Sequence, residues 1–376
     1  MKIAIITNII PKYREGFYDR LFSIKELDIV VYCQSNIKRE GFSTIHGKYP
    51  NNIKILSYLS AKNETISWQF LPWHEISTKY DVVFVPGNPR TLSDFFFGTY
   101  LHFANKKVVL WTMAHSYNSS RFTEFLRLAW TKIFNNVFVY TDKEVLYLKT
   151  KGFKSNYVLG MNNGLDQKKI DHIKETWDTK SLLDWKIRNG VRDKLLLLSS
   201  SRLELKNKFE HVLYALPSIL KLYPNVIWCV IGDGPNRDFL ESLVKEKGLR
   251  ENVLFLRAIY AEEELAPWFL SSKLLIHPGA IGLTLLHAFG YGLPVVTHDL
   301  ISSHGPEFGA FENDETGSTF KIDNVEDLSK TIISLLEDDE KIRKMSRNVL
   351  SLVQNKYNVN IMVDRFIKIA NHAILK

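Results

Sequence analysis

Short apolar runs alternate with amphipathic, helix-length runs along the whole chain, and this alternation restricts it to parallel α/β sheets. In the first half the strand candidates are 2–8 (KIAIITN), 28–33 (DIVVYC), 81–86 (DVVFVP), 107–112 (KVVLWT), 136–140 (NVFVY) and 155–160 (SNYVLG). Helical runs fall at 14–24, 91–104, 121–134 and 143–151. The turn cluster NNGLD and the charged stretch up to residue 194 read as a connector. The alternation then restarts. Strands are expected at 195–201, 226–231, 253–257, 273–277 and 294–297, and helices at 208–222, 236–247, 261–271 and 282–291. Two polar helices at 325–337 and 339–356 follow, and an amphipathic helix at 358–375 ends the pattern. The 376 residues therefore predict two similar α/β units in series, 1–165 and 166–357. Ligands bind at the carboxyl ends of the strands in such sheets, so the loops after strands carry the functional candidates.

Four of those loops have chemistry to offer. IGDGP, 231–235, joins a strand to a helix. Gly232 and Gly234 lack a β-carbon, which suits either close backbone approach to a phosphate at the helix N-terminus or a tight turn alone. No G-x-G-x-x-G follows a strand, so no dinucleotide fingerprint is present. SSSRLELKNKF, 199–209, sets Arg202, Lys206 and Lys208 just past an apolar run. A guanidinium and an ammonium together can grip a diphosphate. In HPGAIGLTLLHAF, 277–289, Gly279 and Gly282 leave room beside a helix N-terminus. The amides of Gly282, Leu283 and Thr284 would face a ligand there. The polar loop ISSHGPEFGAF, 301–311, offers His304 and Glu307 as hydrogen-bonding groups.

These four pieces, in this order, resemble the retaining glycosyltransferases of family four, the glycosyl transferases group 1 set with the GT-B fold. TNIIPKYREGFYDRL resembles the opening strand and glycine loop of that group, VVLWTMAHS its strand ending at a histidine, and VYTDKEVLYLKTKGF with NNGLD the end of its first domain. The resemblance implies two Rossmann-like domains facing across a cleft, with the last helix crossing back onto the first. It implies a donor that is a nucleotide diphosphate sugar and an acceptor that is a glycan or a lipid-linked glycan. No Asp-x-Asp occurs in the chain, so no metal or other cofactor is expected. By position, Arg202 would contact the donor diphosphate. The partner lysine of the family falls on Asn207 here, so Lys206 or Lys208 would substitute, with Lys208 slightly favoured. Gly232 to Pro235, with Gly234, would lie beneath the donor, and Arg257 to Ile259 against the nucleobase. Gly282, Leu283 and Thr284 would cradle the β-phosphate. His115 would contact the transferred sugar, and Gly16 would let the first loop approach the phosphates and acceptor. The family carries two glutamates eight positions apart where this chain has Gly279 and His287. The resemblance is therefore to a subgroup with GLxLxHAF and HGPE in their place. His287 would then take over the ribose hydroxyls, and Glu307 would supply the missing carboxylate. The competing reading is an inactive protein that binds nucleotide sugars.

Charge and cysteine content narrow the setting. Residues 1–180 hold 25 Lys and Arg against 16 Asp and Glu, while the rest of the chain is nearly neutral at 24 against 25. A basic first half suits an anionic partner. The runs DFFFGTYLHFANKK and RFTEFLRLAWTKIF mix basic and aromatic residues, which fits either an anionic membrane surface or core-facing helices with snorkelling cations. No helix-turn-helix, zinc-finger or RNP signature is present, so nucleic acid is not an expected partner. The two cysteines form no framework, and no run has the length of a membrane span or a signal peptide. The expected location is cytoplasmic, with the inner membrane face as the alternative that the basic-aromatic runs leave open.

Overall fold

The computed structural model describes residues 1–35, 44–61, 66–88, 90–114 and 121–375. It divides into two compact units, Met1–Leu165 with Val359–Lys376, and Asp166–Asn358.

The first unit is built on strands β1 (Lys2–Ile6), β2 (Asp28–Cys33), β3 (Ile53–Ile55), β4 (Tyr58–Ala61), β5 (Ile66–Gln69), β6 (Val82–Pro86), β7 (Val108–Trp111), β8 (Asn136–Val139) and β9 (Tyr157–Gly160). Its helices are α1 (Glu15–Phe22), α2 (Trp73–Lys79), α3 (Leu92–Phe103), α4 (Arg121–Lys132) and α5 (Asp142–Thr150). Seven strands form one parallel sheet in the order β3-β2-β1-β6-β7-β8-β9, and β4 and β5 form a separate antiparallel hairpin. The strands read as continuous apolar runs because helices cover both faces of a parallel sheet. Helix α5 begins at a capping box in which Thr141 and Glu144 satisfy each other's backbone N–H.

The second unit contains α6 (Gln167–Glu175), α7 (Thr179–Arg188), β10 (Leu195–Ser200), α8 (Glu210–Leu220), β11 (Val226–Ile231), α9 (Arg237–Glu246), β12 (Val253–Leu256), α10 (Glu262–Ser271), β13 (Ser272–His277), α11 (Leu283–Gly290), β14 (Val295–His298), β15 (Gly317–Phe320), α12 (Val325–Leu336) and α13 (Asp339–Asn355). Its six strands are parallel, in the order β12-β11-β10-β13-β14-β15. The stretch read from the sequence as a connector is mostly helical. Helix α6 buries Ile170 and Ile173, one turn apart, and α7 sets Trp185 edge-on to Trp268 at 4.5 Å. Its polarity reflects a position on the rim of the unit, where one apolar stripe suffices.

The last helix, α14 (Val359–Leu375), belongs to the first unit. It buries Val359, Met362, Val363, Phe366, Ile369, Ala370 and Ala373 on one face, at the spacing of a core-facing helix. Phe366 stacks on Phe84 of β6 at 4.1 Å, and Arg365 donates to Asp142 and to the Gly160 carbonyl.

The two basic-aromatic runs split their side chains. In and just after α4, Arg127, Trp130 and Phe134 are buried, whereas Phe122, Phe125 and Leu126 are exposed. In α3, Phe97 and Leu101 are buried while Phe96, Tyr100 and Phe103 face outward. Among the described residues no helix is long and apolar enough to cross a membrane.

Candidate functional site

The site residues expected in the second unit gather at the carboxyl edge of its sheet. Strand β10 ends at Ser200, and Thr284 in the first turn of α11 donates its hydroxyl to the Ser200 carbonyl at 3.2 Å. That bond brings the start of α11 beside the loop that carries Arg202. Arg202 Nε lies 3.2 Å from Glu204 Oε1, and Lys206 Nζ lies 2.6 Å from Glu204 Oε2. Arg202 and Lys206 thus converge on one carboxylate, so a single oxyanion can meet both. Lys208 does not join them. It adopts a left-handed conformation (φ 51°) and its ammonium is engaged by Asp323. In this structure Lys206, and not the favoured Lys208, shares a carboxylate with Arg202.

Asn207, at the position where the resemblance places a lysine, is turned into the loop. The side chain is 3% exposed, and its Nδ2 donates to the Arg202 carbonyl at 2.6 Å and to Ser201 Oγ at 3.2 Å. It holds the loop together from within, a role that a lysine cannot fill.

Loop packing demands three of these glycines. A β-carbon at Gly232 would stand 2.0 Å from the Ser201 carbonyl oxygen, and one at Gly234 2.4 Å from that of Leu203. Both residues have φ near 150°, in the region that glycine alone adopts comfortably. The Gly234 amide already donates to Asp233 Oδ1. A β-carbon at Gly279 would lie 2.3 Å from the Lys206 carbonyl oxygen and 2.5 Å from Asn207 Cα. The space left by Gly279 is therefore filled by the backbone of the Arg202 loop. Gly282 differs, because its nearest neighbour would be Glu307 Oε2 at 3.6 Å. No side chain caps α11, and the amides of Gly282, Leu283 and Thr284 donate to none of the described residues.

Glu307 is buried beneath that helix start, so the structure brings this expected carboxylate to Gly282. His304 is not available to a ligand. It is fully buried, its Nδ1 accepts from the Ile281 amide at 3.1 Å, and its Nε2 donates to the His298 carbonyl at 2.9 Å. Its ring stacks between His298 and Phe308, each at 4.1 Å. Arg257 is exposed and pairs with Asp233 at 2.8 Å, which ties the loop after β12 to the glycine turn and lowers the Asp233 pKa. Ile259 lies half-buried in the same loop.

His287 sits one turn into α11, but its Nε2 is 2.7 Å from Glu262 Oε1 at the start of α10. Tyr291 donates to the same oxygen at 2.6 Å. Burial works to raise the Glu262 carboxyl, yet the hydrogen bond and charge of His287 outweigh it, and its pKa lies below the ordinary glutamate value. Glu262 Oε2 has no partner among the described residues. His287 therefore holds a carboxylate in this structure. Glu262 escaped the sequence reading, since it stands in a run of three glutamates that reads as ordinary helix-start charge. The signal was the histidine at a glutamate position, which asks for a carboxylate from elsewhere.

Two expected residues belong to the first half of the sequence. Gly16 is in the first turn of α1, where its carbonyl accepts from Arg20, so that segment is helical and not a glycine loop. His115 lies outside the described residues.

Residues 184–351, which span all of these second-unit loops, match the family model described as Glycosyl transferases group 1. The second unit is a group 1 glycosyl transferase domain. Among curated relatives, the alpha-D-kanosaminyltransferase of Streptomyces kanamyceticus is 24% identical over 47% of the chain and 46% of the relative. The GDP-mannose-dependent alpha-(1-6)-phosphatidylinositol monomannoside mannosyltransferase of Mycolicibacterium smegmatis is 25% identical over 42% of the chain and 43% of the relative. The matches span less than half the length of these relatives. The solved structure of Anabaena Alr3699/HepE in complex with UDP is similar over 99% of this chain and 100% of that one, with a TM-score of 0.73 at 16% identity. That likeness establishes the GT-B fold.

Three buried histidines underlie this edge of the second sheet. Burial pushes His277 and His298 each down to about 4, and lowers His304 as well. Their folded values lie below the unfolded value of about 6.5, so the unfolded chain binds more protons as the pH falls. The stability they contribute is complete above pH 6.5 and is lost on acidification towards pH 4. His277 and His298 should each cost about 2 kcal/mol by pH 5. Melting curves from pH 7.5 to 5 measure this, and replacing His298 with Asn should flatten the decline. An unchanged slope in that variant contradicts the assignment.

Proposed function

We propose that the chain is a retaining glycosyltransferase that moves a sugar from a nucleotide diphosphate sugar to an acceptor hydroxyl. The observation that carries this reading is the convergence of Arg202 and Lys206 on one carboxylate beside the uncapped start of α11. Without a donor, Glu204 occupies both cations. A diphosphate would displace it and add the amides of Gly282, Leu283 and Thr284. As the bond from the anomeric carbon to the phosphate oxygen breaks, negative charge grows on the leaving diphosphate, and these groups stabilise it where it develops. The acceptor oxygen bonds to the same face, and its proton passes to the leaving phosphate. Protein cations meet that charge in this scheme, so no metal is required. Glu262, held by His287 and Tyr291, supplies the carboxylate for the ribose hydroxyls, and Glu307 stands by the donor from below Gly282.

The acceptor we infer is a bacterial polysaccharide or lipid-linked glycan. The names of relatives such as the phosphatidylinositol monomannoside mannosyltransferase support this class. The exposed Phe122, Phe125 and Leu126, on a helix that ends at Lys132, suit an anionic inner membrane face as the place of reaction. A second reading, an inactive nucleotide-sugar binder, is favoured by one observation, the missing carboxylate at Gly279. Any measured transfer eliminates it.

The test is a thermal-shift panel of UDP, GDP, ADP, CMP and dTDP and their sugars, with and without EDTA, on protein alone and with anionic vesicles. One base should stand out, and at 100 times its dissociation constant it should stabilise by about 2.7 kcal/mol. EDTA should not change that response. Silence from every nucleotide would remove the donor site, and co-sedimentation indifferent to anionic lipid would remove the membrane.

A further inference from the structure

Arg14 is a buried cation in the first unit that no carboxylate meets. Its residue is 7% exposed, and among the described residues it forms no ion pair. Its guanidinium carbon lies over three rings, 5.7 Å from the centre of Tyr13, 5.2 Å from Trp111 and 5.6 Å from Tyr140. Nη1 reaches the Met161 sulfur at 3.7 Å, a weak acceptor. A guanidinium has five N–H donors and stays charged. Burying such a charge without a counter-charge is costly, and contacts with aromatic faces offset only part of that cost. Arg365 in the same unit shows the usual solution, since Asp142 and the Gly160 carbonyl meet it. Tyr13 also hydrogen-bonds the guanidinium, and one donor in the cluster stays unsatisfied, because the indole N–H of Trp111 is buried and makes no hydrogen bond.

The cluster has a defined place in the fold. Arg14 ends the short helical turn Lys12–Arg14 after β1, Trp111 ends β7, and Tyr140 and Met161 directly follow β8 and β9. All four therefore lie at the carboxyl edge of the first sheet, where parallel α/β sheets take their ligands. We infer that Arg14, framed by Tyr13, Trp111 and Tyr140, is a subsite for an oxyanion, a phosphate or carboxylate group of a small ligand. The rings hold the guanidinium in one pose, and its remaining donors offer a fork that fits two oxygens of the anion. That this anion belongs to the sugar acceptor rests on the proposed glycosyl transfer. The anion subsite itself does not.

The test uses the full chain with Arg202 and Lys206 both replaced by Ala, so that the paired cations of the second unit do not contribute. Calorimetric titration with inorganic phosphate, and with acetate as the carboxylate probe, should show saturable binding of at least one. Adding Arg14→Met should weaken it at least tenfold, and Arg14→Lys should weaken it less. The indole ¹⁵N–¹H signal of Trp111, assigned through Trp111→Phe, should move along the same titration in the protein that keeps Arg14. This second readout decides the matter if Arg14→Met does not fold. Equal binding with and without Arg14, or no saturable binding with an unmoved indole signal, overturns the subsite. A nucleotide panel that stays silent while the Trp111 signal still responds would sink the transferase reading and leave the anion subsite standing.

Discussion

Replacing Arg202 with alanine is expected to lower glycosyl transfer by two to three orders of magnitude, roughly 3–4 kcal/mol of transition-state stabilisation. The side chain is 65% exposed, so the fold does not depend on it. Its guanidinium is aimed where the leaving diphosphate would gain charge, and it can bind two phosphate oxygens at once. The loss should therefore fall on kcat and on kcat/KM together, with a smaller rise in KM. Arg202→Lys should recover only part of it, because an ammonium is a point charge. Lys206→Ala should cost less than Arg202→Ala for the same reason. Single-substrate kinetics with the base that the nucleotide panel selects would measure all three. Turnover in Arg202→Ala within threefold of the parent would remove this loop from the chemistry.

Restoring the family glutamate by Gly279→Glu should damage the protein instead of improving it. The β-carbon alone would meet the Lys206 carbonyl oxygen at 2.3 Å and the Asn207 backbone at 2.5 Å. Those atoms cannot step aside freely. Asn207 bonds to Ser201 and Arg202 through its side chain, its amide bonds to Glu204, and Lys208 holds a left-handed turn just beyond. Overpacking of this kind ordinarily costs about 1–3 kcal/mol, and a backbone-on-backbone clash belongs at or above the upper end. Gly279→Ala should carry most of the penalty, which separates steric cost from carboxylate chemistry. Both variants should melt earlier, and both should transfer sugar more slowly because the Arg202 loop has moved. A Gly279→Glu protein with unchanged melting and faster turnover would show that the loop yields.

The comparison of these two positions shows what can be read from a sequence. The strand and helix pattern was legible because apolar runs such as VIWCVI and VVLW are buried on both faces and admit few readings. The short strands Ile53–Ile55, Tyr58–Ala61 and Ile66–Gln69 were not, since their side chains are largely polar or half-exposed. Gly232, Gly234 and Gly279 were legible as special turns. What each packs against depends on a loop tens of residues away, and no local pattern reveals it. The same holds for the choice between Lys206 and Lys208, which Glu204 and Asp323 decide, and for His287, whose partner is 25 positions earlier. Arg14 carried no signal at all, because nothing in KYRE distinguishes a caged arginine from a solvated one.

The last helix has a consequence for how the chain is made. Its apolar face supplies part of the interior of the first unit, with Phe366 lying flat on Phe84. The ribosome releases Phe84 early and Phe366 only after the whole second unit has been translated. At about 5–20 residues per second, close to two hundred intervening residues take about 10–40 s. For that interval the nascent first unit has an open apolar trough, while the second unit can fold as soon as it emerges. The part of the molecule that is synthesised first is thus finished last. Ribosome-bound chains stalled before residue 359 should bind trigger-factor-type holdases through the first unit.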